Sequence, residues 1–269
     1  MNYKIFQNCF EEDQIKNIDP LLTPFDNTAN ERPDLREFQV FDKIYKGNYT
    51  KDLDAWGVFG PRWHEKLKYP MAEVHDEIQN NPGHDVYIFN FARITCAYFY
   101  SVWEQGELGH KGIIEISRHA LKNIFGHDRM FKVPTYQNTM CFSNFFVASK
   151  DFWYEYMNFL YEVKNELDNL PEELDIIYKS SANYERDMSL NLFPFIIERM
   201  FSTYLIMNPK WKVHFKPYDY DVYSLPEKKI LAPLLNALNG IKRPETMDHW
   251  LKFRDYFFAV YPHFLNLEK

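Results

Sequence analysis

Glycine is scarce in this chain. Nine of 269 residues are glycine, about half the usual ~7%, so backbone cradles for phosphate can be few. Neither GxGxxG nor GxxxxGK followed by Ser or Thr occurs, and HExxH and GxSxG are also missing. Those absences exclude the common dinucleotide, P-loop, zinc-protease and α/β-hydrolase signatures. The three cysteines, Cys9, Cys96 and Cys141, are far apart and show no CxxC or Cys/His spacing, which leaves them as reduced, buried thiols. Lys plus Arg is 31 against 38 Asp plus Glu, a formal charge of −7, and no basic run offers a stripe for nucleic acid. No window approaches 18 apolar residues, and the first twenty residues carry acids where a signal peptide needs an apolar run. The expectation is a cytoplasmic protein with no nucleic-acid partner.

What the chain does have is rings and a core: 18% aromatic and 46% hydrophobic residues. Lys4–Phe10 predicts an opening strand. Residues 54–60 predict a second strand and 85–90 a third, entered through Asn81-Pro82-Gly83. Residues 140–147 predict another, followed by Ser149 as an N-cap and a helix with Phe152, Tyr156, Phe159, Leu160, Val163 and Leu167 on one face. Pro194 opens a second strong helix with Ile196, Ile197, Met200, Phe201 and Tyr204 on its stripe and Glu198 and Arg199 at the border. Leu35, Phe38, Phe41 and Tyr45 recur at helical spacing, as do residues near 70–79 and 110–125. A strand at 211–216 and helices at about 227–239 and 245–260 complete the pattern. Thr23–Pro33, with two prolines and several Asp and Asn, reads as a long loop. Strands alternating with helices predict a doubly wound α/β sheet. One domain over 1–269, with about 218–269 as a helical appendage, is the economical division.

Several residues carry candidate chemistry. Asp52-Leu53-Asp54 and Asp219-Tyr220-Asp221 are literal DxD triplets, able to hold a divalent ion and equally able to be solvated loops. Glycines concentrate at Trp103–Gly112, which suggests close backbone approach to a ligand at Gly106. There Trp103 could offer a ring face, Gln105 could bond in both directions, and His110 could donate to phosphate. A plain strand-to-helix connection accounts for the same residues. Asn90 closes the third strand, at the edge where open α/β sheets bind ligands. Glu198 is either an ordinary charged helix face or a carboxylate turned into a cleft.

The segments KIFQNCF, IDPLLTPFDNTANERPDLREF, GVFGPRWHEK, PGHDVYIFNF, VWEQGELGHKGI, SNFFVASKDFWYEYMNFLYEV and FPFIIERMFSTYL together resemble a group of glycosyltransferase-like proteins. Such proteins occur in capsule and O-antigen clusters and on large viral genomes. The resemblance covers roughly residues 3–217. The last two segments also resemble the end of the broader group of GT-A polysaccharide glycosyltransferases. It implies a GT-A-like (Rossmann-like) mixed sheet flanked by helices, with C-terminal helices, a nucleotide-diphosphate sugar as donor and a carbohydrate acceptor. It also raises Glu198 to a candidate catalytic carboxylate, with Asp187 behind it. Arg32, Arg62 and His110 are then candidates to neutralise the leaving diphosphate, and Asn27, Asn90 and Gln105 to orient the donor. The usual metal-binding DxD is missing, since Phe89-Asn90-Phe91-Ala92 stands in its place, so Mn²⁺ or Mg²⁺ dependence is open. Ala92-Arg93 replaces a proline-rich turn of the relatives.

Two other classes compete. A glycoside hydrolase could set Glu104 and Glu198 across a sugar, and a non-catalytic glycan-binding protein could use the rings as platforms. The stripe of Trp250, Phe253, Phe257 and Tyr261 beside Lys252 and Arg254 fits packing against the main body. Shallow docking on a membrane that carries a lipid-linked acceptor is the functional alternative.

Overall fold

Side chains alternate across a central sheet, so that each strand feeds two cores. The computed structural model describes residues 1–67, 69–89, 93–136, 138–180, 191–216, 237–238 and 240–260. Six strands are ordered β2-β1-β3-β5-β4-β6: β1 (Tyr3–Cys9), β2 (Thr23–Asp26), β3 (Ala55–Phe59), β4 (Val86–Ile88), β5 (Phe146–Ser149) and β6 (Val213–Phe215). All neighbours are parallel except β5, which runs against both β3 and β4. The fold is α/β, a mixed sheet flanked by helices and compatible with a Rossmann-like architecture.

Phe6, Trp56, Val58, Val86, Ile88, Phe146 and Ala148 point to one face. They pack under α2 (Glu37–Lys46), α6 (Val102–Gly109), α7 (Ile113–Phe125), α8 (Lys150–Asp168) and α10 (Phe193–Met207). Ile5, Ala55, Phe59, Tyr87, Phe145 and Val147 point to the other, under α3 (Trp63–Leu67) and α4 (Met71–Asn80). This is the period of two expected of strands buried on both sides. Trp56 and Trp153 stack at 3.7 Å between centroids, and the Trp153 indole donates to the Trp56 carbonyl at 2.7 Å, pinning α8 to β3. Gly57 is glycine for a reason of space: a Cβ there would lie 2.2 Å from the Phe146 carbonyl oxygen.

The predicted strands at 4–10, 54–60, 85–90 and 211–216 and the helix behind Ser149 are found, the last with Ser149 Oγ accepting the Phe152 N–H at 3.2 Å. The loop expected over 23–33 contains β2. Pro24 is tolerated there because β2 is an edge strand, whose outer N–H groups need no ladder partner. The strand expected at 140–147 begins only at Phe146, because Ser143 and Asn144 turn through left-handed backbone, φ 58 and 54. The helix expected at about 227–239 falls almost wholly outside the described residues, as do Asp219, Asp221 and Tyr261. α11 (Met247–Val260; α1 is Glu12–Lys16, α5 Arg93–Tyr98 and α9 Glu172–Lys179) turns Trp250 and Phe257 inward against Tyr98 and Phe99. The Trp250 indole donates to the Ala97 carbonyl at 2.8 Å. These two rings serve packing, not a bilayer. Among the described residues no helix is long and apolar enough to cross a membrane.

Candidate functional site

From β1 the chain passes to β2 on one side and to β3 on the other, so the strand order reverses between β1 and β3. Outside the carboxyl ends at such a reversal is where open α/β sheets hold ligands. A cavity of about 290 Å³ lies there. Its floor comes from the residues that follow the two strands, Phe10 and Gly60-Pro61-Arg62, and from Phe145 at the start of the antiparallel β5. Arg36 and Glu37 at the start of α2, Lys66 of α3, and Pro194, Phe195 and Glu198 of α10 close it. Phe10 is 41% exposed.

Strain and charge concentrate in this wall. Among the described residues four non-glycines have positive φ, and three of them, Arg36 (φ 45), Ser143 and Asn144, line the cavity. Each such residue costs on the order of 1–3 kcal/mol and persists where its surroundings impose it, typically at functional sites. The Ser143 turn is held from both sides. Its N–H donates to Glu198 Oε1 at 2.6 Å, and its Oγ accepts from Lys66 Nζ at 2.5 Å. Asn144 is buried, and its Oδ1 has no hydrogen-bond partner among the described residues.

Glu37 is a cavity residue that the sequence reading missed. Burial pushes its carboxyl above the ordinary carboxylate range. A hydrogen bond from its own N–H opposes the rise, the nearby Glu198 charge adds to it, and Lys66 and Arg36 pull it back. Two carboxylates in one cavity, in different environments, are the arrangement from which acid and base roles arise. A signal existed in Arg36-Glu37 at the head of a helix after Pro33, but an acid in a first turn is equally a helix-dipole preference.

Of the residues expected to form the site, Glu198 and Arg62 line the cavity. The Arg62 side chain is exposed and has no hydrogen bond or ion pair among the described residues. Asp187 and Asn90 lie outside the described residues. Asn27 is buried just beyond β2, its N–H bonded to the Cys9 carbonyl at 2.7 Å and its Oδ1 without a described partner. It does not line the cavity. Arg32 is also elsewhere, paired with Asp34 at 2.6 Å. Asp52 and Asp54 sit at the amino edge of β3, opposite the cavity, where Asp54 Oδ2 accepts the Asn2 N–H at 2.7 Å.

The glycine cluster requires the main correction. Residues 102–109 form helix α6, not a connection. Trp103 is 2% exposed and donates to Thr203 Oγ1 at 3.1 Å, so its face is closed to a ligand. Gly106 does permit a close approach, but to Arg199: a Cβ there would lie 2.3 Å from Arg199 Nε. That guanidinium is buried. It donates to the Val102 carbonyl at 3.0 Å, the Phe195 carbonyl at 2.8 Å and Gln105 Oε1 at 2.5 Å. His110 stacks on Phe195 at 3.6 Å between centroids. Burial, helped by the Arg199 charge, lowers its pKa to about 4, so it is neutral at pH 7 and does not serve as a cationic phosphate donor. Glu104 accepts the Tyr100 N–H at 2.5 Å and pairs with Arg254 at 3.2 Å; it does not share the Glu198 cavity.

Among the described residues no group of three or more His, Cys, Asp or Glu is placed to hold a metal ion. The positive charge of the cavity comes from Arg36, Arg62 and Lys66. Comparison with protein-family models, with curated proteins and with solved structures gives no match.

Proposed function

We propose that the chain is a GT-A-like glycosyltransferase, moving a sugar from a nucleotide-diphosphate donor to a hydroxyl of a glycan acceptor in the cavity at the β1/β3 reversal. The observation that carries this reading is the composition of that cavity: two carboxylates, Glu37 and Glu198, face three cations, Arg36, Arg62 and Lys66. Transfer from a diphosphate needs both kinds of group. Negative charge develops on the leaving phosphate and is stabilised by preorganised cations, while the attacking hydroxyl must lose a proton to a nearby base. The exposed ring of Phe10 in the cavity lining suits the flat face of a base or sugar. A glycoside hydrolase also uses two carboxylates, but its reaction expels no diphosphate for three cations to neutralise.

The test is a panel of UDP- and GDP-sugars added to the purified chain, with and without Mn²⁺ or Mg²⁺. Melting temperature is followed, because a ligand bound only to the folded state stabilises it by RT ln(1 + [L]/Kd). Release of nucleoside diphosphate is followed in parallel. Stabilisation by one donor class together with nucleotide release is expected. Cleavage of an oligosaccharide without nucleotide, and no response to any donor, would contradict the reading.

A further inference from the structure

We infer that Glu37, and not Glu198, is the group that takes the proton from the attacking hydroxyl. This rests on the sugar-transfer reading above and assigns a residue within it. The reason is which carboxylate has lone pairs to spare. Glu198 has one oxygen committed to the Ser143 N–H at 2.6 Å, and its other oxygen lies 3.8 Å from Arg199 Nη1. It holds the left-handed Ser143-Asn144 turn in the cavity wall. Replacing that bond with one to substrate would release a strained turn, so Glu198 is suited to positioning.

Glu37 is differently placed. Among the described residues no side chain or backbone group but its own N–H donates to its carboxylate, although it lines the same cavity. Arg36, immediately before it, is held at φ 45 and ψ −127. No L-residue adopts that backbone freely, and here it leads directly into the first residue of α2, which bears the carboxylate on the cavity wall. The charged groups facing Glu37 are Glu198 from α10, Lys66 from α3 and Arg36 from its own approach, with Arg62 on the same wall. Burial and the Glu198 charge both make Glu37 a stronger proton acceptor than a free carboxylate, which brings a base toward the working pH. The Asn144 Oδ1, buried on the same wall and without a partner among the described residues, is a second acceptor for a substrate hydroxyl.

The step balances without a further reactant. The acceptor oxygen forms its bond to the anomeric carbon, and the bond from that carbon to the diphosphate oxygen breaks. The electron pair leaves on the phosphate, facing the cations, and the hydroxyl proton ends on Glu37, from which solvent removes it.

The test uses the full chain, with UDP-glucose, UDP-galactose and GDP-mannose as donors and water or a glycan as acceptor. Nucleoside diphosphate release is measured from pH 4 to 9 for wild type, Glu37→Gln and Glu198→Gln, with UDP binding and melting temperature recorded for each. Glu37→Gln should lower kcat about 10²–10⁴-fold with UDP affinity unchanged. Glu198→Gln keeps an amide oxygen for the Ser143 N–H, so it should lower kcat by clearly less than Glu37→Gln does. Its acid limb should move to lower pH, because the charge that raises Glu37 is gone. Turnover of Glu37→Gln within about threefold of wild type would overturn the assignment. So would loss of turnover confined to Glu198→Gln, which returns the base to that residue. If wild type binds no UDP or GDP and releases none from any donor, the sugar-transfer reading itself falls, and the assignment with it.

Discussion

Helix α10 serves two regions of opposite character through adjacent residues. Glu198 faces the cavity, where backbone is strained, an amide oxygen is unpaired among the described residues and charges converge. Arg199, about 100° further around the helix, enters the α6 cluster, where Trp103, Gln105 and the Val102 carbonyl are all bonded and Gly106 fits the guanidinium. The groups around Arg199 exchange hydrogen bonds with one another, whereas the cavity wall holds a buried amide oxygen, Asn144 Oδ1, with no partner among the described residues, and such a group costs stability that packing alone would have removed.

Three substitutions should break the cluster of α6 and Arg199, and two of them, Trp103→Ala and Gly106→Ala, change no residue of the cavity wall. Arg199→Ala should have the largest effect, a loss of about 3–5 kcal/mol measured by denaturant unfolding, since it leaves buried carbonyls unpaired and an internal charge network broken. Trp103→Ala should cost a similar amount, about 3–5 kcal/mol for a buried tryptophan, while the folded fraction keeps wild-type UDP affinity. Gly106→Ala inverts an ordinary expectation. In a free helix the change stabilises by about 0.5–1 kcal/mol; here the added methyl collides with Arg199 and should destabilise by about 1–3 kcal/mol.

Two smaller effects sharpen the contrast through pH. Glu37 titrates higher in the folded chain than unfolded, so its contribution to stability is fully present below the unfolded pKa and is lost as pH rises through the folded one. Glu37→Gln should therefore raise the melting temperature at pH 7, with the gain vanishing as pH falls below the usual carboxylate value of about 4.3. A stabilising substitution in a cavity wall is the signature of a residue kept for function. His110 behaves in the opposite sense. Its folded pKa is about 4, below the unfolded value near 6.5, so stability should fall as pH drops from about 6.5 toward 4. His110→Phe, preserving the ring stack on Phe195, should lessen that acid loss in a pH series of thermal unfolding.

Much of the sheet was legible because strands buried on both sides leave runs such as Trp56–Phe59 and Val86–Phe89. Helices α8 and α10 were legible from their stripes and from Ser149 and Pro194. β2 was hidden by Pro24, which reads as a loop signal until the strand is known to be an edge. The site was less legible than the fold. Glycine, tryptophan and histidine at 103–112 looked like a ligand cradle, and only the arrival of Arg199 from α10, over ninety residues away in sequence, makes them interior. Arg36, Glu37 and Lys66 carry no local motif that singles them out. Their convergence depends on the β1/β3 reversal, a tertiary fact that no local pattern encodes.

On the proposed function, the cavity at that reversal, and not the α6 cluster or the Arg32 loop, binds a phosphate-bearing ligand. Arg62 tests it most directly, since its exposed side chain has no described partner to lose. UDP affinity should be measured by calorimetry for wild type, Arg62→Ala and Arg32→Ala. A charge-assisted hydrogen bond contributes about 1.5–3 kcal/mol, so Arg62→Ala should weaken binding roughly 10- to 100-fold with an unchanged melting temperature, while Arg32→Ala, whose guanidinium is held by Asp34, should bind as wild type does. Equal UDP affinity in wild type and Arg62→Ala, or a loss confined to Arg32→Ala, would contradict the account.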